Sequence, residues 1–162
     1  MRHRFPDIAD LVPHRHPMLL LDAVVDYAQS AIVCTARIGD AHPFLEGEVV
    51  DALVCVELVA QTVAAYAGYQ DHLAGRTPSL GFLVSCREAR FDVPALALGD
   101  ALRIEARHSW GDDRLGSFAG RVLRNGEEVA SIEVGVYRGP LDSAPKPPAI
   151  SGDTPEPPGG GR

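Results

Sequence analysis

The sequence predicts an α+β domain in which one long central helix is wrapped by an antiparallel sheet of about six strands. Three observations carry this expectation. Residues 52–70 favour a helix whose apolar side chains point in nearly every direction, and such a helix must be enclosed rather than laid on a surface. Segments on either side of it alternate apolar and polar residues with the period of a half-buried strand. Asn125-Gly126 marks a tight hairpin late in the chain, because both central positions of that turn need positive φ.

In chain order, residues 6–12 favour a short opening helix that Pro13 stops. Met18, Leu19, Leu20 and Leu21 begin a strand that runs towards Tyr27. Next, Ile32, Cys34, Ala36 and Ile38 share one strand face, and Val33, Thr35 and Arg37 the other. The helix follows, with Asp51 as its N-cap and Leu53, Val54, Val56, Leu58, Val59, Val63 and Ala67 placed around its axis. Gly68 and the run Gly75-Arg76-Thr77-Pro78 break it. Residues 80–93 supply a long strand. In residues 101–110, Leu102, Ile104 and Ala106 point one way and Arg103, Glu105 and Arg107 the other. The hairpin joins residues 116–124 to residues 129–137, where Ala130, Ile132, Val134 and Val136 share a face.

A chain of 162 residues suits one folded domain, here residues 1–138. From Gly139 onwards Pro140, Pro145, Pro147, Pro148, Pro155, Pro157 and Pro158 crowd into a tail ending Gly159-Gly160-Gly161-Arg162. Residues 139–162 bury too little apolar surface to offset their ordering entropy, so disorder is expected there. The net charge is −7 with no dense Lys/Arg block, which argues against nucleic acid as a partner. No stretch reaches the ~18 uncharged apolar residues of a spanning helix, and the basic start runs at once into Pro6, Asp7 and Asp10. A cytoplasmic protein with no membrane segment is expected. Cys34, Cys55 and Cys86 are far apart with no CxxC pair, so reduced and mostly buried thiols are expected, and no metal site.

Inside the apolar helix stands one carboxyl side chain, Glu57, with Gln61 one turn later on the same face. Desolvation there would favour the protonated carboxyl, which is what a general acid needs. The structural alternative is that Glu57 bonds a backbone N–H or an arginine and pins a subunit interface. Free N–H groups near Asp51 and Ala52, at the start of the helix, would polarise a carbonyl and favour an oxyanion.

Three motifs then resemble one family. Leu11-Val12-Pro13-His14-Arg15-His16-Pro17, with the apolar run closed by Asp22, is similar to the opening of the β-hydroxyacyl-ACP dehydratases, a family of the hotdog fold. Glu57-Leu58-Val59-Ala60-Gln61 is similar to their helix motif Glu-x-x-Ala-Gln, whose Glu is catalytic. Arg87-Glu88-Ala89-Arg90-Phe91, with Pro94 and Leu98-Gly99-Asp100 beyond it, is similar to their third-strand motif. The likeness spans residues 8–138. Residues 60–68 and Gly81-Phe82-Leu83 resemble the branch found in aryl polyene and related pigment gene clusters.

The resemblance implies a lyase that removes water from a 3-hydroxyacyl thioester in polyene, pigment or fatty acyl synthesis. The acyl group would arrive on the phosphopantetheine of an acyl carrier protein or on coenzyme A, with no other cofactor. It also implies a dimer, either a homodimer or a heterodimer with another hotdog subunit. Glu57 would be the acid, Gln61 would orient it, and the amides near Asp51 and Ala52 would hold the thioester oxygen. Phe44, Gly81, Phe82 and Leu83 would line the acyl tunnel. His14 and His16 fall in a corner that is structural in the family, His72 and His108 read as surface and strand positions, and Arg90 as a dimer or sheet anchor.

One departure bears on the chemistry. The family carries Gly-His-Phe-Pro-Gly ahead of the helix, and that His takes the α-proton. Here Gly47 is followed by Glu48, Val49 and Val50. The base would then be His42, six residues before the expected loop position, or a histidine of the partner subunit. A thioesterase in which Glu57 activates water needs no such base. A subunit that only completes a partner's site needs no chemistry at all.

Overall fold

The computed structural model describes residues 5–139; the tail expected to be disordered lies, beyond Gly139, outside the described residues. A short helix α1 (Ile8–Leu11) opens the chain, capped by the Asp7 carboxylate, which accepts from the Ala9 amide at 3.0 Å. Strands β1 (Ala23–Ala28) and β2 (Ala31–Arg37) follow, then a short β3 (Val49–Asp51). The long helix α2 (Val54–Leu73) comes next. After it run β4 (Gly81–Phe91), β5 (Ala95–Ala97), β6 (Ala101–Gly111), β7 (Leu115–Arg124) and β8 (Glu127–Arg138).

Six strands form one antiparallel sheet, as expected from the alternation, and the structure gives their order as β1-β2-β6-β7-β8-β4. The β7–β8 hairpin turns on Asn125 (φ 53°) and Gly126 (φ 82°), the positive φ values that the sequence requires. A second, two-stranded ribbon pairs β3 with β5. Its strands, of three residues each, are too short to leave a periodic signal in the sequence.

The core lies between one side of α2 and the buried face of the sheet. Leu58 and Val59 of α2 meet Ile32, Ile104, Val122 and Val134, all of them fully buried. Gly120 of β7 has no room for a side chain, because a Cβ there would run into the Val59 side chain. Gly68 of α2 likewise lets the Leu11 carbonyl sit against the helix, which seats α1 and the Pro13-His14-Arg15 corner on it.

Two expectations for α2 are corrected. The helix is not enclosed all round: Leu53 is exposed, and Val56, Glu57, Ala60, Ala64 and Ala67 are only half-buried. The sheet covers one side of α2 and leaves this stripe open, beside the edge strand β4, where Leu83 and Val84 are also exposed. Nor is Asp51 the cap residue. It ends β3, Leu53 holds the cap position, and the Asp51 carboxylate accepts from the Leu53 amide at 2.8 Å. Cys34 and Cys55 are buried, and burial pushes both thiols up to about 12. Cys86 is exposed because it sits on the edge strand.

Candidate active site

The first turns of α2 place Glu57 and Gln61 on one line, four residues apart. Gln61 is fully buried, and its amide is spent on three bonds. Its Oε1 accepts from the Leu20 amide at 3.0 Å, and its Nε2 donates to the Met18 carbonyl at 2.7 Å and to Glu57 Oε1 at 2.8 Å. One side chain therefore ties the segment before β1 to the helix and fixes the carboxylate. Because both backbone bonds need a defined end of the amide, the orientation of Gln61 is set by its partners.

A second group reaches the same oxygen. His14 Nε2 lies 3.6 Å from Glu57 Oε1, with side-chain exposures of 29% and 35%. The corner that carries His14 is held by Arg15, whose guanidinium donates to the Val12 carbonyl at 2.9 Å and to the His14 carbonyl at 2.7 Å. His14 Nδ1 is enclosed and has no hydrogen-bond partner among the described residues.

Glu57 stands where two cavities meet. One of about 340 Å³ runs along the open stripe of α2, lined among others by His14, Glu57, Ala60, Ala64 and Leu83. The other, of about 510 Å³, lies towards the start of the helix, with Met18, Phe44, Asp51, Leu53 and Glu57 in its wall. At 35% exposure the Glu57 side chain is not sequestered by its own chain. The desolvation expected from the sequence therefore needs a cover that these residues do not supply, which corrects that expectation.

The remaining expected residues divide. Gly81 and Leu83 line the first cavity, and Phe44 and Asp51 the second. Phe82 is half-buried on β4 opposite Tyr137 and lines neither. The Ala52 amide is not open to a thioester oxygen, since it donates to the Pro94 carbonyl at 3.1 Å where β3 and β5 come together. The Leu53 amide is taken by Asp51. His42 lines neither cavity that holds Glu57; its Nδ1 accepts from the Phe44 amide at 3.2 Å, and burial pushes its pKa down. His108 does line the first cavity, packed against Phe118 at 5.1 Å between ring centroids. Arg90 bonds Glu128 at 2.8 Å on the sheet surface. Among the described residues no cluster of His, Cys, Asp or Glu could hold a metal ion, and no helix is long and apolar enough to cross a membrane.

Residues 6–145 match the sequence model of the ApeP-like family, described as ApeP dehydratase. The chain belongs to that family. This ApeP-like dehydratase is 30% identical over 136 residues to the 3-hydroxyacyl-[acyl-carrier-protein] dehydratase FabZ of Bordetella petrii, a match covering 78% of this chain and 89% of that one. It is 31% identical over 104 residues to FabZ of Clostridium perfringens, covering 61% of this chain and 72% of that one. Its fold is similar to the dehydratase heterocomplex ApeI:P from Xenorhabdus doucetiae, with a TM-score of 0.81 and 25% identity over 86% of this chain and 95% of that one. A protein from Streptococcus pneumoniae described as a hypothetical thioesterase with coenzyme A shares the fold alone, at 10% identity and a TM-score of 0.56 over 72% of this chain and 84% of that one. The ApeP-like dehydratase is thus a hotdog protein, with its α2 stripe and β4 edge uncovered in the single chain.

The sequence singled out Glu57 and Gln61 but not the approach of His14 to them. The signal was present in two places: Pro13, which ends α1 and starts the corner, and Gly68, which lets that corner press on the helix.

Proposed function

We propose that this chain removes water from a 3-hydroxyacyl thioester carried on the phosphopantetheine of an acyl carrier protein, with Glu57 protonating the departing hydroxyl. The observation that supports this reading is the Gln61-held carboxylate at the junction of two cavities. Gln61 donates to Oε1, which favours the carboxylic proton on Oε2, the oxygen left for a substrate hydroxyl. The thioester would lie along the open stripe of α2 with its acyl chain past Ala60, Ala64 and Leu83. A second hotdog subunit, identical or different, would cover the stripe and β4. Its cover would supply the desolvation that favours the protonated carboxyl a general acid needs near neutral pH. Likeness to a structure described as a heterocomplex favours a different subunit.

The test is incubation of the purified protein, with any subunit that co-purifies, with a 3-hydroxyacyl-ACP. Enoyl-ACP is the expected product, and free acid would mean a thioesterase. Glu57→Gln should lower the rate by about 10²–10⁴-fold. An unchanged rate in that variant would leave this chain as a scaffold and end the reading.

A further inference from the structure

Elimination of water needs two proton movements on neighbouring carbons, and Glu57 accounts for one of them. The loop after Gly47 carries Glu48 and no histidine, and His42 lies in the wall of neither cavity that holds Glu57. Two histidines, His14 and His108, line the first cavity. His108 packs on Phe118 of β7, whereas His14 is the one the structure brings to Glu57, with Nε2 at 3.6 Å from Oε1.

We infer that His14 is the base that takes the α-proton, so that the acid and the base of the reaction come from the same protomer. The inference rests on the reading of Glu57 as the acid. The α-hydrogen and the β-hydroxyl sit on adjacent carbons, and two groups one contact distance apart reach both from the same side. Both side chains face the first cavity, and the Arg15 bonds to the Val12 and His14 carbonyls hold the corner that aims the imidazole. Nδ1 has no partner among the described residues, so no hydrogen bond forces the proton onto Nε2, and the Nε2 lone pair is available to the cavity.

The proton account closes without any other reactant. His14 Nε2 takes the α-proton, the electron pair of the C–H bond becomes the new C=C bond, and the C–O bond breaks as Glu57 protonates the leaving hydroxyl. Water and the enoyl thioester are the products. The site is left with an imidazolium beside a carboxylate, an arrangement that each charge stabilises for the other at their separation of 3.6 Å. Return of the proton from His14 to Glu57 Oε2 through the product water, before that water leaves, restores both groups, so each turnover neither takes up nor releases a proton.

The experiment compares His14→Gln, His14→Ala, His42→Gln and Glu57→Gln in the full chain with its co-purifying subunit, using a 3-hydroxyacyl-ACP. His14→Gln should lower kcat by about 10²–10⁴-fold with KM and the melting midpoint close to those of the parent. Free imidazole should restore part of the rate of His14→Ala, in step with the concentration of its neutral form, a response that a merely structural histidine does not give. Full activity in His14→Gln alongside an inactive Glu57→Gln overturns the role of His14 and leaves Glu57 in place. So does a collapse of kcat in His42→Gln but not in His14→Gln. A loss in His14→Gln that follows a fall in melting midpoint, with no imidazole rescue of His14→Ala, also overturns it. Full activity in Glu57→Gln instead ends the reading of Glu57, whatever His14 does.

Discussion

Gln61 shows how much one buried side chain can govern. Its amide satisfies the Leu20 N–H and the Met18 carbonyl while holding Glu57, so a substitution acts on stability and on the site together. Gln61→Leu roughly keeps the volume but leaves the buried Leu20 N–H without its partner and removes the bond to the Met18 carbonyl. It should destabilise the fold by about 1–3 kcal/mol in denaturant titrations. It should also lower kcat more than it raises KM, because the carboxylate loses the bond that orients it. Glu57 and Gln61 were legible in the sequence because a carboxyl and an amide one turn apart in an apolar helix are conspicuous. His14 was not. Its nearness to Glu57 comes from packing between segments over forty residues apart in the chain, which no local periodicity records. The helix-start amides failed as an oxyanion site for the same reason: the Pro94 carbonyl that takes the Ala52 N–H lies just before β5, at the end of the unforeseen ribbon.

Among the elements, the contact of α2 with β7 depends on an absent side chain. Gly120→Ala would drive a methyl into Val59 and should cost about 1–3 kcal/mol. Val59→Ala alone should also destabilise, by leaving a cavity. Together the two changes should cost less than their sum, and a double-mutant cycle read from melting or denaturant midpoints would show this; strict additivity would deny the clash. The exit of α2 is fastened differently. Asp71 is buried and accepts from Arg76 at 2.8 Å, from the Ser79 amide at 3.1 Å and from Arg138 at 2.7 Å, joining the loop before β4 to the end of β8. Burial pushes the Asp71 carboxyl up, but the Ser79 amide and the Arg76 and Arg138 guanidiniums outweigh it and hold its pKa below the ordinary value. A depressed folded pKa means stability that is fully present above the unfolded value of about 3.9 and is lost as pH falls through the folded one. Asp71→Asn should therefore cost about 1–3 kcal/mol at neutral pH, and the gap from the parent should close as the solution is made more acid than pH ~4. Denaturant midpoints measured across a pH series check both the size and the sign.

At the scale of the whole molecule, the main sheet and its central helix were legible because period-two alternation and an apolar helix are properties of the chain itself. Whose surface covers that helix is not. An apolar stripe has the same sequence signature whether its cover is the chain's own sheet or a partner, and here Leu53, Ala60, Ala64 and Ala67 proved to be only partly covered. The open stripe adjoins β4, an edge strand with Leu83 and Val84 exposed. Long edge strands of this kind pair with another chain unless a charge blocks them. If a second hotdog subunit seals the stripe, Leu83→Lys with Val84→Lys should shift the purified protein from dimer to monomer in sedimentation or light scattering, because burying two ammonium groups in that seam is costly. The fold should persist, since neither side chain belongs to the buried core. Activity should fall with the dimer even though Glu57, Gln61 and His14 are untouched, both because Leu83 is lost from the cavity wall and because the carboxyl would then stay in water and lose the desolvation that suits it to act as an acid. A monomeric double variant with full activity would show that the open stripe works without a cover.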